Sequence, residues 1–307
     1  MSRFAYVNGR FIAHPHARIH IEDRGNQFAD AVYEVWGVTK GQLMDFDGHL
    51  MRLARSLGEL RIKSPMSNQA LSAVLFRMIE LNRLHSGLIY LQISRGQARR
   101  DHVFPGPQTR ASVIMTAKAT NAERIERKAR EGIKVITQPD IRWGRRDIKT
   151  VSLLPNVLVR QAAAEAGAQE GWMIDDAGLV TEGSASNAWI VNAEGVLITR
   201  PADHDILNGI TRRTIIALAA KEGIRTEERA FSLEEARLAQ EAFVTSASTF
   251  ATPVIEIDGQ PVGNGHPGTF SLQLRESYVA TAKERARGAN VRRSPPLLAR
   301  RRKHPVI

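Results

Sequence analysis

Arg142-Trp143-Gly144-Arg145-Arg146-Asp147-Ile148-Lys149-Thr150 sets one lysine, read as lying at a strand end, behind three arginines. A lysine met alone is read as an exposed surface cation. This setting changes the reading, because cationic neighbours and burial favour the neutral amine, the form that attacks a carbonyl. Outward along the chain, Thr181-Glu182-Gly183-Ser184 puts an acid at the head of a small-residue turn. Further on, Asn208-Gly209-Ile210-Thr211-Arg212 opens a helix with apolar Ile215, Ile216, Leu218 and Ala219. Taken singly, the glutamate is ordinary turn chemistry and Thr211 is a good helix cap.

Taken in that order, the three stretches are the parts needed to hold pyridoxal 5'-phosphate. Lys149 supplies the amine that bonds the aldehyde. Glu182 keeps the pyridine nitrogen protonated, which makes the ring an electron sink. The helix start at Ile210 and Thr211 offers unpaired amides and a partial positive charge to a phosphate, and Gly209 permits close backbone approach. The order, wording and spacing of these motifs, over residues 1 to about 285, resemble the class IV (fold-type IV) aminotransferases and, within them, the D-amino acid aminotransferases. The resemblance implies an α+β, two-domain architecture with mixed sheets and flanking helices. It also assigns phosphate contacts to Arg52 and to the Ala247 amide in Thr245-Ser246-Ala247-Ser248. Without the resemblance, Arg52 would read as half of a helix-surface ion pair.

Substrate choice rests on a different motif. Ser94-Arg95-Gly96 leads to Arg100-Asp101-His102. The Arg-x-His pattern resembles the carboxylate trap of D-amino acid aminotransferases, in which a tyrosine, matched here by Tyr33, also takes part. The chemistry is sound, since an arginine fork matches a carboxylate and His and Tyr add donors. In that family the loop enters the site from the neighbouring subunit, which implies a homodimer. The implied reaction moves an amino group between D-alanine, D-glutamate or D-aspartate and a 2-oxo acid. Branched-chain L-amino acid aminotransferases and aminodeoxychorismate lyases share the cofactor motifs, but the Arg-x-His pattern argues against both. The chain departs from the family pattern at Asn26, Ala29, Ala31, Ala185 and Ala247.

Composition excludes other classes. The 307 residues are 43% hydrophobic and 24% charged, which is ordinary for a globular protein. No run approaches the roughly 18 apolar residues of a membrane span. The N-terminus lacks the apolar core of a secretory signal. No cysteine is present, so there are neither disulfides nor thiolate metal sites. These features lead to an expected cytoplasmic location. His14, His16 and His20 alternate but have no acidic partner pattern, so no metal site is expected. The net charge of +11 is local: from Lys283 to Lys303 nine basic residues face the single acidic Glu284, which gives +8. That stretch, with Pro295-Pro296, reads as a solvated, disordered extension, and nucleic-acid binding through it is the rival reading from another class.

Strands are expected at Phe4–Val7 and Arg10–Ala13 about an Asn8-Gly9 turn, then at Ala31–Val38, Gly87–Ser94 and Ala111–Ala117. Helices are expected over Asp47–Leu60 and Asn68–Asn82. The polar, helix-prone stretch Lys118–Glu131 divides an N-terminal α/β domain, residues 1–120, from a cofactor-binding α/β domain, residues 121–285; a basic tail, 286–307, follows. In the second half, strands are expected at Ile133–Gln138, Gly171–Asp175, Asn187–Asn192, Val196–Thr199, Ala242–Ser246 and Pro253–Ile257. Helices are expected at Asn156–Ala166, Thr211–Glu222, Ser232–Gln240 and Thr269–Arg287.

Overall fold

Period-two patterning organises the N-terminal half. The computed structural model describes residues 2–291. It begins with β1 (Phe4–Val7), β2 (Arg10–Ala13), α1 (Arg24–Phe28), β3 (Ala31–Thr39) and β4 (Gln42–Leu43), followed by α2 (Phe46–Glu59), α3 (Asn68–Asn82), β5 (Ser86–Ser94) and β6 (Ser112–Ala119). The strands form one sheet in the order β2-β1-β6-β5-β3-β4, antiparallel throughout. On β5, Ile89, Leu91 and Ile93 are buried on one face. They join Val32, Trp36 and Val38 of β3 and the apolar stripes of α2 and α3 in one core. Successive side chains of a strand point to opposite faces. Tyr33 and Val35 of β3, and Leu88 of β5, therefore face the other way and line a cavity. Asn8 and Gly9, both at positive φ, make the turn between β1 and β2.

The second half runs α4 (Ala122–Glu131), β7 (Ile133–Pro139), α5 (Leu154–Glu165), β8 (Glu170–Ile174), β9 (Val180–Gly183), β10 (Asn187–Val191) and β11 (Leu197–Thr199). It continues with α6 (Ile210–Lys221), β12 (Thr226–Glu228), α7 (Leu233–Arg237), β13 (Glu241–Ser246), β14 (Phe250–Ile257), β15 (Gln260–Pro261) and α8 (Thr269–Val291). Its sheet has the order β12-β11-β10-β13-β14-β7-β8-β9, with β15 beside β14. Parallel pairs at β11/β12, β14/β7 and β7/β8 make this sheet mixed. One core centres on Trp172 and Phe231; another holds Trp189, stacked on Phe243 at 5.3 Å, against α6 and α8.

The two halves meet through polar clasps. Asp45, just before α2, accepts from Tyr278 Oη of α8 at 2.5 Å and Thr214 Oγ1 of α6 at 3.3 Å. The Tyr33 amide donates to the Lys149 carbonyl at 2.9 Å, which lays the lysine segment along β3.

The expected elements form with ends shifted by a residue or two, with three larger differences. Lys118–Glu131 starts as the end of β6, and the helix begins only after the Asn121 cap. The helix expected over Ser232–Gln240 is the short α7, with Ser232 as its cap. Helix α8 continues to Val291, into the stretch expected to be a disordered tail; the rest of that tail, residues 292–307, lies outside the described residues. Elements too short to carry a period, α1, β4, β12 and β15, had no reading in the sequence.

Candidate active site

Between the two sheets lies a cavity of about 290 Å³, at the small end of the roughly 300–1,000 Å³ of small-molecule sites. Lys149, Glu182, Arg52, Ile210, Thr211, Ala247 and Tyr33 all line it. Arg100 and His102 do not. They sit in the exposed loop between β5 and β6, packed against the Phe28 ring at 5.2 and 5.3 Å.

Lys149 is not at a strand end, because β7 stops at Pro139 and the lysine lies in the irregular segment before α5. Helix α2 holds that segment: Arg55 pairs with the Asp147 carboxylate and donates to its carbonyl at 2.9 Å. Lys149 Nζ stands 4.2 Å from the centre of the Tyr33 ring. The three arginines expected to act on the lysine are paired elsewhere. Arg142 bonds Asp140 and Glu182, Arg145 bonds Asp147 and Glu59, and Arg146 bonds Asp205.

Glu182 lies inside β9, and the small-residue turn follows it rather than containing it. Its carboxylate is buried and accepts from Arg142 Nη1, from Asn187 Nδ2 at 3.0 Å and from the Leu207 amide at 3.2 Å. Burial, the largest influence, pushes the Glu182 carboxyl above its ordinary value; Arg142, the Leu207 amide and Lys149 pull against it. Arg142 is clamped from behind by Asp140, at 2.9 Å and 2.7 Å, and Thr181 Oγ1 caps the same carboxylate at 2.7 Å. Burial works against the Arg142 charge, but Asp140 and Glu182 together hold it well above the usual arginine value.

The opposite end of the cavity is an anion cradle. Gly209 is the N-cap of α6 and no side chain caps the helix, so the first amides keep unpaired N–H groups. Thr211 is therefore not the cap; it is the second residue of the helix, buried on the cavity. A Cβ at position 209 would come within 2.0 Å of Asn187 Oδ1, so glycine lets the helix start and the Glu182-holding asparagine share the space. Arg52 rises from α2 and is not a surface pair. Its fork grips Glu34 at 2.7 and 2.8 Å and reaches the Asn208 carbonyl at 3.0 Å, which leaves two of its five N–H donors. Glu34 is fully buried and also bonds His49 Nδ1 at 2.7 Å. Burial raises Glu34, but Arg52 and His49 outweigh it and hold its carboxyl down to about 2.

A sequence model of the family Amino-transferase class IV matches residues 31–257. The chain belongs to the class IV aminotransferases. The D-alanine aminotransferase of Bacillus licheniformis is 39% identical over 268 residues, covering 87% of this chain and 93% of that protein. The D-alanine aminotransferase of Listeria innocua serovar 6a is also 39% identical, covering 89% and 94%, and one from Staphylococcus aureus is 36% identical, covering 89% and 95%. Among solved structures, the branched-chain amino acid aminotransferase of Escherichia coli superposes with a TM-score of 0.82 at 25% identity, covering 92% of this chain and 95% of that one. A branched-chain amino acid aminotransferase from the source abbreviated T.th., solved with pyridoxamine 5'-phosphate, gives 0.84 at 25% identity, covering 93% and 95%. As in these class IV enzymes, the fold here joins two sheets and flanking helices about a central cavity.

Several residues of the site had no signal in the sequence. Glu34 sits in a strand pattern that reads as apolar, His49 in a helix pattern, and Asn187 at the start of a buried strand. A buried acid one residue after Tyr33, with an arginine and a histidine three residues apart on α2, was the available clue.

Proposed function

We propose that the chain is a pyridoxal 5'-phosphate-dependent aminotransferase acting on D-amino acids. The observation that carries the reading is one cavity with an amine at its centre (Lys149), a buried carboxylate at one end (Glu182) and uncapped amides at the other (Ile210, Thr211). These fit the aldehyde, ring nitrogen and phosphate of the cofactor. Arg52, with two donors left, and the Ala247 backbone complete the phosphate end. The D-alanine aminotransferases at 36–39% identity support the D-specific reading over the branched-chain one.

When bound, the cofactor supplies an electron sink for the negative charge left when the substrate Cα loses its proton. The rest is done by the protein. Lys149 gives up its bond to the aldehyde when the substrate amine takes its place, and its free Nζ removes the Cα proton and returns it to the cofactor carbon. Glu182, held by Arg142, Asn187 and the Leu207 amide, keeps a proton on the ring nitrogen. Tyr33 stands beside Lys149 to donate toward the substrate. Arg100 and His102 bind the α-carboxylate in the cavity of a second subunit, which makes the working unit a homodimer. A 2-oxo acid leaves, and a second one reverses the steps, so the kinetics are ping-pong.

We also infer the division near residue 120, with a cofactor-holding half from 121 to 285, and a cytoplasmic location. No helix among the described residues is long and apolar enough to cross a membrane. Purified protein loaded with pyridoxal 5'-phosphate is tested with D-alanine or L-alanine and 2-oxoglutarate. Turnover of the D isomer is expected; preference for L-alanine or L-leucine would replace this reading with the branched-chain one.

A further inference from the structure

The loop that carries Arg100 and His102 is held by a buried arginine outside the cavity. Arg24, in α1, is 3% exposed. Its Nε donates to Asp30 Oδ2 at 2.8 Å, and its Nη1 donates to the carbonyl of Asp101 at 2.5 Å, with the Val103 carbonyl at 3.5 Å. Asp101 is the residue between Arg100 and His102. The root of the loop is fixed by the same segment: the Arg24 amide donates to the Gly96 carbonyl at 2.9 Å, and the Ala98 amide to Glu22 at 3.3 Å. Gly96, at φ +104°, lets the loop close, because a Cβ there would come within 1.9 Å of the Arg110 carbonyl.

Two more contacts aim the loop. Asp30 grips Arg95 at 2.7 and 2.9 Å, and the Arg95 guanidinium lies 3.6 Å from the centre of the Phe104 ring. Phe28 of α1 packs against Arg24 at 4.7 Å, Arg100 at 5.2 Å and His102 at 5.3 Å. Exposed loop carbonyls can bond to water, so the loop's own needs do not require an arginine. A buried guanidinium, by contrast, must find acceptors for its fork, and it takes them where the loop passes between its two binding side chains.

We propose that Arg24 is a positioning residue for substrate recognition: paired with Asp30 and stacked on Phe28, it fixes the backbone between Arg100 and His102 so that both present their donors to the substrate carboxylate. This rests on the reading of Arg100 and His102 as the carboxylate binders.

The test uses the full-length, cofactor-loaded enzyme and the variants Arg24→Lys, Arg100→Ala and the double variant. Lysine keeps a charge for Asp30 but has no fork to reach the loop. Arg24→Lys is expected to raise the KM for D-alanine about tenfold or more, the size of one charge-assisted hydrogen bond, with kcat changed far less and cofactor absorbance unchanged. Trypsin cleavage after Arg99 and Arg100 should quicken, which reads the loop without activity. In the Arg100→Ala background the further KM effect of Arg24→Lys should largely vanish, since both act through one group. An unchanged KM in Arg24→Lys, or effects that multiply fully in the double variant, would overturn the proposal. Arg100→Ala with the wild-type KM would instead remove the carboxylate reading, and the proposal with it. If Arg24→Lys does not fold, Phe28→Leu, at a half-buried position, should show the same KM-specific rise; a kcat-only effect there counts against the proposal.

Discussion

Glu182 takes its donors from three separate elements: Arg142 after β7, Asn187 at the start of β10 and the Leu207 amide before α6. Only the acid itself was legible in the sequence, through its place after Lys149 and before Gly209. Its partners are brought in by sheet pairing that no local pattern encodes. Arg142 was legible as a cation but was given the wrong neighbour: the structure pairs it with Glu182 and Asp140. Glu182→Gln keeps the shape and removes the charge. One charge-assisted hydrogen bond is worth roughly 1.5–3 kcal/mol, so kcat should fall by about one to two decades with the fold intact by circular dichroism. Wild-type kinetics in that variant would reduce Glu182 to a structural strand residue. Lys149→Ala should retain the fold and lose transamination, and a normal rate would remove Lys149 from the chemistry. Gly209→Ala should also impair the enzyme through Asn187, which its Cβ would displace; a smaller cofactor affinity in equilibrium dialysis checks this.

At the scale of elements, period decides what is legible. Helices α2 and α3 and strands β3 and β5 carry enough turns or alternations to be read directly. Helix α1 spans only Arg24–Phe28 and has no such period, yet it carries both Arg24 and Phe28. It ends at Ala29 with φ 54°, a left-handed conformation that costs a residue with a Cβ about 1–2 kcal/mol. Ala29→Gly should therefore stabilise the protein, by roughly 0.5–1 kcal/mol after the added chain entropy, seen as a higher urea midpoint. No gain would mean that the strain is relieved elsewhere. The β3–α2 contact has a pH signature. The folded Glu34 carboxyl titrates near 2, against an ordinary value of 4.5. Above the ordinary value both states are ionised and the stabilisation is complete; as pH falls toward 2 the unfolded chain takes up the proton first and stability is lost. The loss is on the order of 3 kcal/mol. Glu34→Gln should flatten that part of the stability–pH curve while destabilising the protein at neutral pH, because Arg52 is left buried without its charge partner. An unchanged slope would show that other groups govern acid unfolding.

At the scale of the molecule, the class IV architecture follows from two sheets that each bury one face in their own core and turn polar groups toward a shared cavity. This was legible through motifs rather than composition: Lys149, Glu182 and Ile210–Thr211 occur in the required order, but how the strands pair was not readable from periodicity. The charge of +11 would mislead if spread over the whole chain, since most of it falls between Lys283 and Lys303. If Arg100 and His102 serve a second subunit, mixing Arg100→Ala with Lys149→Ala protein after subunit exchange should restore activity at one site per mixed dimer; no recovery would place the carboxylate binders within the same chain or outside the reaction. The most direct test of the central claim is a single half-reaction. Cofactor-loaded protein, without any 2-oxo acid, is titrated with D-alanine or L-alanine while the visible absorbance is followed. D-alanine should bleach the band and release one pyruvate per site, and L-alanine should leave it unchanged. A band that ignores D-alanine, or that answers equally to L-alanine, would contradict the account.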